Sequence, residues 1–245
     1  MNDKIIGRNP VIEALRAGRQ IDKILIAKGT EGSISVIKTL AHQNKIITLE
    51  VDRKKLDTIS QSSSHQGVIA LAAVQNYASV DDILKAAHKK AQPPFVVILD
   101  EITDPHNIGS IIRTANAAGA HGVIIPKRNS AGLSATVAKT SAGAIEYTPV
   151  ARVSNIAQTI EYLKSKNIWI YGTHQDAETS YADADLTGAI GLVIGSEGHG
   201  IGSLISQKCD FLVSISMAGE INSLGASVAA GILMFEAVRQ KSRKL

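Results

Sequence analysis

The 245-residue chain has a single cysteine, Cys209, so no disulfide can form within it. Cys209 opens the mostly apolar run Cys209-Asp-Phe-Leu-Val213 and reads as an inert packing residue. Its seven histidines show no H-x-x-x-H spacing, and with no second cysteine the usual zinc sites are not expected. No apolar run approaches the roughly 20 residues that cross a bilayer. The opening MNDKIIGRNP lacks the apolar core of a secretory signal. A cytoplasmic protein with no membrane or metal partner is therefore expected. Internal repeats and low-complexity segments are also missing, which excludes solenoids and disordered tails.

What is present is the composition of a globular protein, 44% hydrophobic and 20% charged. The net charge is +4, and its distribution is uneven. Residues 1–75 carry 11 Lys/Arg against 7 Asp/Glu, whereas residues 95–245 carry 12 against 13. A basic N-terminal third points to a polyanionic partner engaged there, although a solvated basic face has the same composition.

Hydrophobic periodicity divides the chain. Residues 1–75 read as a small α/β unit, with strands at Ile21–Ala27, Ile46–Val51 and Gly67–Val74. A helix is expected from Asn9-Pro10 to Gly18, a second over Ser33–Asn44, and a third, short and basic, capped by Asp52. Residues 76–94 read as a linker with a helical middle, ended by Pro93-Pro94. From Phe95 onward, apolar runs at Phe95–Leu99, Gly122–Ile125, Ile168–Gly172, Ile190–Ile194 and Phe211–Ile215 alternate with helical patterns. The helices fall near Ile108–Ala118, Ala135–Ala142, Asn155–Ser165 and Ala226–Gln240. This alternation predicts a parallel sheet with helices on both faces. In the last helix, Val228, Ile232 and Phe235 are expected to be buried.

Four short segments carry chemistry. Asn107-Ile-Gly-Ser-Ile-Ile-Arg113 opens a helix, with Asn107 as a candidate cap and Arg113 on the face opposite its apolar stripe. Alone, such an arginine is an ordinary surface residue. Gly195-Ser-Glu-Gly-His-Gly200 follows a strand as a glycine turn. Its order differs from G-x-G-x-x-G and no acid follows at the required distance, so a dinucleotide is disfavoured. Ile215-Ser-Met-Ala-Gly219 ends the last strand, and Asn222-Ser-Leu-Gly-Ala-Ser227 leads into the C-terminal helix.

The content and order of these segments resemble the three signatures of the SpoU/TrmH family of RNA ribose methyltransferases. Gly7-Arg-Asn-Pro-Val-Ile-Glu-Ala-Leu15 and His65-Gln-Gly-Val68 resemble the substrate-binding domain found in many members. Two departures stand out: Ser216 replaces a usual proline and Gly225 a usual asparagine. The resemblance implies a C-terminal SPOUT domain (95–245) with a deep trefoil knot, preceded by a small L30e-like RNA-binding domain (1–75). It implies S-adenosylmethionine as cofactor, held by the backbones of Gly195, Ile215, Met217 and Leu224 and touched by Thr173. It makes Arg113 the group that activates a ribose 2′-hydroxyl. An arginine is effectively always protonated, so an electrostatic role is favoured over proton acceptance. Asn107 would orient Arg113 or the ribose, and Glu197 and Ser223 would support the cleft. The expected substrate is a guanosine ribose in 23S ribosomal RNA, and the expected assembly a homodimer in which this first-signature helix meets the C-terminal helix across a two-fold interface. A transfer-RNA ribose methylase, and a non-catalytic RNA-binding factor favoured by Gly225, are the alternatives.

Overall fold

The computed structural model describes residues 4–61, 64–220 and 223–243. Asn222 of the fourth segment lies outside the described residues. By backbone contacts the chain divides into two compact units, residues 1–76 with 132–135, and residues 77–131 with 136–245.

The first unit holds a four-stranded sheet in the order β1-β4-β2-β3, formed by β1 (Lys4–Ile6), β2 (Ile21–Ala27), β3 (Ile47–Val51) and β4 (Val68–Ala72). β2 runs parallel to β3 and antiparallel to β4. Helices α1 (Arg8–Arg16) and α2 (Ile34–Gln43) bury Val11, Leu15 and Ile37 with Ile24 and Ile26 from β2. Helix α3 (Arg53–Ser60) places Leu56 against Leu25 and Ile69, the alternate residues of the same strands. α1 begins two residues earlier than Asn9-Pro10 suggested. Gly7, at φ 98°, is its cap, and Pro10 falls inside the first turn, where its missing N–H has no intrahelical partner to lose. β1 was not expected, because three residues are too few to show a period.

The second unit is built on a six-stranded parallel sheet in the order β10-β8-β9-β5-β6-β7. Its strands are β5 (Phe95–Leu99), β6 (Gly122–Pro126), β7 (Val150–Val153), β8 (Trp169–Thr173), β9 (Ile190–Ile194) and β10 (Phe211–Val213). Every residue of β5 and β9 is buried, as central parallel strands covered on both faces must be. On one face, α7 (Ile156–Lys164) and α8 (Ser203–Lys208) bury Ile160, Leu163 and Ile205 against Val96, Ile98 and Val193. α4 (Val80–Lys89) joins them through Ile83 and Ala87, both fully buried. The segment expected as a linker therefore supplies part of this core: Ser79 starts the helix with a capping box, and the amphipathic pattern of α4 gives it a face to bury.

On the same unit, α5 (Pro105–Ala117) and α9 (Ala226–Ser242) pack together and against β6 and β9, while α6 (Ala135–Thr140) approaches α5 at Gly109. α9 buries Ala230, Leu233, Met234 and Ala237 and leaves Val228 and Phe235 about half exposed. This reverses the expected faces. A helix that is apolar around most of its circumference has no periodic signal to choose the buried side. The start of α5 also differs: Asp104 is its cap, accepting the His106 N–H at 2.9 Å, and Asn107 is already helical. Cys209 donates to the Ile205 carbonyl at 3.2 Å, and burial pushes its thiol up to about 12, which keeps it unreactive. None of the described helices is long and apolar enough to cross a membrane.

Candidate active site

Several of the chemistry-bearing segments converge where β5, β8, β9 and β10 end, beyond the carboxyl edge of the sheet. This is where open parallel sheets place ligands. The glycine turn after β9 is closed by two main-chain bonds, Ser196 N–H to Gly200 O at 3.0 Å and Gly200 N–H to Ser196 O at 2.9 Å. Gly198 and Gly200 take positive φ in this turn. A Cβ on Gly195 would stand 2.0 Å from the Gly200 carbonyl carbon, so only glycine lets the turn fold back on itself. Asp100, at the end of β5, accepts the Gly202 N–H at 2.9 Å and anchors the far side of the turn. Burial raises the Asp100 pKa, partly offset by that hydrogen bond.

The turn aims Glu197 at two other segments. Glu197 Oε1 accepts from Asn107 Nδ2 at 3.0 Å and from the Ala226 N–H at 3.2 Å. Asn107 Oδ1 in turn accepts from the Ser227 hydroxyl at 2.8 Å. One carboxylate and one amide thus tie α5, the glycine turn and the first residues of α9 together. The network also accounts for Gly225. This residue is the cap of α9 and has no side chain to satisfy the helix N–H groups. Glu197 accepts one of those N–H groups from outside the helix, as a capping side chain would. A Cβ at position 225 would lie 3.3 Å from the same carboxylate oxygen. Negative charge at this helix start is also favoured by the helix dipole.

The remaining candidates are placed as follows. Thr173 ends β8, beside β9, and its hydroxyl donates to the Val193 carbonyl at 3.2 Å. Ile215, Met217 and Leu224 lie on the segments leaving β10 and entering α9. Among the described residues, the main-chain groups of Gly195, Ile215, Met217 and Leu224 make no hydrogen bond, although Gly195 is buried. Buried main-chain groups are rarely left unpaired, so Gly195 fits a polar ligand held by backbone, and the open groups of the partly buried Ile215 and Leu224 and the exposed Met217 are free to join it. Arg113 is exposed on α5 and, among the described residues, has no hydrogen bond or ion pair. Asn107, committed to Glu197 and Ser227, does not bond it. Ser223 is exposed and likewise outside the network. Ser227 is the residue that sequence reasoning left out of the site. It closes the fourth segment, four residues after Ser223, and on the first turn of α9 it faces α5.

A parallel α/β domain with glycine-turn backbone and open main-chain groups at its carboxyl edge defines a small-molecule-dependent enzyme unit. Residues 94–235 match the model of the SpoU rRNA methylase family, and residues 4–78 match that of the RNA 2′-O ribose methyltransferase substrate-binding domain. The chain belongs to the SpoU family and is an RNA methyltransferase. It is 49% identical over 242 residues to YacO of Bacillus subtilis (strain 168), assigned to the TrmH family of tRNA/rRNA methyltransferases, covering 98% of this chain and 97% of that one. A TrmH-family relative from Staphylococcus saprophyticus is 48% identical over 97% of this chain and 96% of its own length. Among solved structures, the SpoU methyltransferase AviRb from Streptomyces viridochromogenes, in complex with AdoMet, matches with TM-score 0.63 and 26% identity, covering 98% of this chain and 90% of that chain. The AdoMet-bound rRNA methyltransferase from Sinorhizobium meliloti matches with TM-score 0.59 and 26% identity, covering 96% and 86%.

Proposed function

We propose that the chain methylates the 2′-oxygen of a guanosine ribose in 23S ribosomal RNA. The observation that carries this reading is the hydrogen-bonded network of Asn107, Glu197, Ala226 and Ser227, which joins three family signatures beside the open backbone of Gly195. Bound S-adenosylmethionine supplies an electrophilic methyl group. The main chains of Gly195, Ile215, Met217 and Leu224 would hold its adenosine, and the Thr173 hydroxyl, already donating to Val193, would offer its oxygen as an acceptor.

Arg113 acts by charge. Its guanidinium stays protonated at any working pH, so it holds the RNA phosphate and stabilises the negative charge that develops on the ribose oxygen. Asn107 is a positioning residue that fixes α5 to the glycine turn, and Glu197 positions the start of α9. Ser223 lies beside the cleft and is offered as a weaker contact. We infer a homodimer from the half-exposed Val228 and Phe235 on α9, seven residues apart on one face, with Met217 also exposed. Arg113, unpaired on its own protomer, then serves a cleft shared with the partner. The first unit, with its excess of Lys/Arg, binds the RNA. The trefoil knot that the resemblance implies would lie in the second unit.

The test is a ribose-methylation map of ribosomal and transfer RNA from cells with and without the protein, read by resistance to alkaline cleavage. A guanosine of 23S RNA that loses protection on deletion is the expected result. A changed site confined to transfer RNA, or no change anywhere, overturns the assignment.

A further inference from the structure

At the opposite edge of the second unit's sheet, where β5, β6 and β9 begin, lies a cavity of about 790 Å³. That is the size of a pocket for a small metabolite. Its charged lining comes from three elements: Lys90 just after α4, His121 just before β6, and Lys241 in the last turn of α9. No aspartate or glutamate lines it. The two acids closest in sequence to the lining are engaged elsewhere: Asp185 accepts from the Thr187 N–H and hydroxyl, and Glu236 pairs with Arg239 and Gln240.

Lys241 is only partly exposed and, among the described residues, makes no hydrogen bond or ion pair. Its ammonium sits 4.4 Å from the centre of the Phe95 ring, a contact that compensates little for lost water. Burial pushes its pKa down to about 8, with no carboxylate to hold it up. His121 Nδ1 accepts the Phe95 N–H at 3.0 Å, and its Nε2 faces Gln92 Oε1 at 3.1 Å, which places the remaining proton on Nε2. His121 is neutral at pH 7, held down to about 4 by burial and by the charges of Lys90 and Lys241. Among the described residues, the cavity therefore contains two ammonium charges, a neutral imidazole and no counter-charge. A structure that leaves a half-buried lysine unpaired in a cavity of this size is complementary to an anion.

We propose that this cavity binds a small phosphate monoester, with the phosphate between Lys90 and Lys241 and its organic part against the apolar wall at Phe95 and Val238. A phosphate monoester carries close to two negative charges at pH 7, which match the two ammonium groups. This site is separate from the methyl-transfer cleft, since it lies at the amino ends of the strands whose carboxyl ends build that cleft. The same chemistry could come from a free metabolite or from a terminal RNA phosphate. The metabolite-sized volume, with an apolar wall for an organic group, favours the free molecule.

The protein carries its own reporter. Trp169 is its only tryptophan. Trp169 and Phe95 are both in register with Ile190, so they share a sheet face two strand spacings, roughly 10 Å, apart. Uridine 5′-monophosphate is titrated into the full chain, with the cofactor cleft filled by S-adenosylhomocysteine, and binding is followed by calorimetry and Trp169 emission. Saturable binding is expected. Lys241→Met should weaken it by about 10-fold or more and Lys90→Met by several-fold, while Arg113→Ala leaves it unchanged. Affinity should fall as pH rises from 7 to 9 through loss of the Lys241 proton. Absence of saturable binding, indifference to both lysine substitutions, or loss with Arg113→Ala overturns the proposal. So does binding by a 5′-phosphorylated RNA hexamer but not by the mononucleotide.

Discussion

The two sheets solve the same problem differently. In the first unit, the edge strand β3 is open to solvent along its middle, with Leu49 43% exposed, and α3 presents the exposed Arg53, Lys54 and Lys55. In the second unit, β5 and β9 are buried from end to end and both faces are covered by helices. A sheet open at its edge leaves surface for a large partner. Central strands covered on both faces leave only their ends, and both the candidate methyl-transfer cleft and the metabolite-sized cavity are found there. Chemistry that needs exclusion of water is thus built where strands end, and recognition of a polyanion where charge is exposed.

The sharpest way to break this division is Arg113→Ala. If chemistry belongs to the second unit, methylation should slow by at least ~100-fold while cofactor affinity changes little, as single-turnover assays and calorimetry would show. Near-normal turnover would remove Arg113 from the mechanism. Next in size is a matched pair of truncations. Leu233→Ala, on the fully covered face of α9, should cost ~2–5 kcal/mol of stability. Leu49→Ala, on the open strand β3, should stay within about 0.5 kcal/mol. Denaturant titration of both proteins compares them, and equal losses would erase the contrast.

A pH profile sharpens the comparison further. An unfolded imidazole takes up its proton below about 6.5, whereas His121, 3% exposed, does so only near about 4. Between those values the unfolded chain binds a proton that the folded chain refuses. Stability should therefore decline as pH falls from about 6.5 to about 4, by up to roughly 3 kcal/mol. His121→Asn, which keeps an acceptor for the Phe95 N–H, should flatten that decline. An unchanged slope would show that other groups govern acid sensitivity. The smallest effect is expected from replacing Arg53, Lys54 and Lys55 of α3 with glutamine. RNA affinity should drop by ~10-fold at low salt and depend less steeply on salt, with no change in cofactor binding. Equal affinities would move the RNA contact elsewhere.

The buried sheet was largely legible in the sequence, because its central strands are continuous apolar runs bounded by helices and turns. β7 escaped because its four residues include Arg152, and α8 because six residues give less than two turns of periodicity. The capping positions were legible in kind but not in place. Asp104 and Asn107 are both good caps, and only geometry shows that the first caps while the second reaches across to Glu197. Glu197 and Asn107 were recognisable from their motifs. The meaning of Gly225 was not, since the carboxylate that substitutes for its missing side chain lies 28 positions earlier and arrives through tertiary folding.

The bonds of Glu197 and Asn107 to Ala226 and Ser227 also set an order of events during synthesis. Their partners follow every strand of both sheets along the chain. A growing chain can assemble its RNA-binding unit and most of the parallel sheet while translation continues, but it cannot fasten the glycine turn to α5 and α9 together until α9 has emerged. A product terminated before residue 226 would present a basic RNA-binding surface with an unfastened cleft. Methyl transfer is therefore reserved for chains in which α9 has emerged and docked.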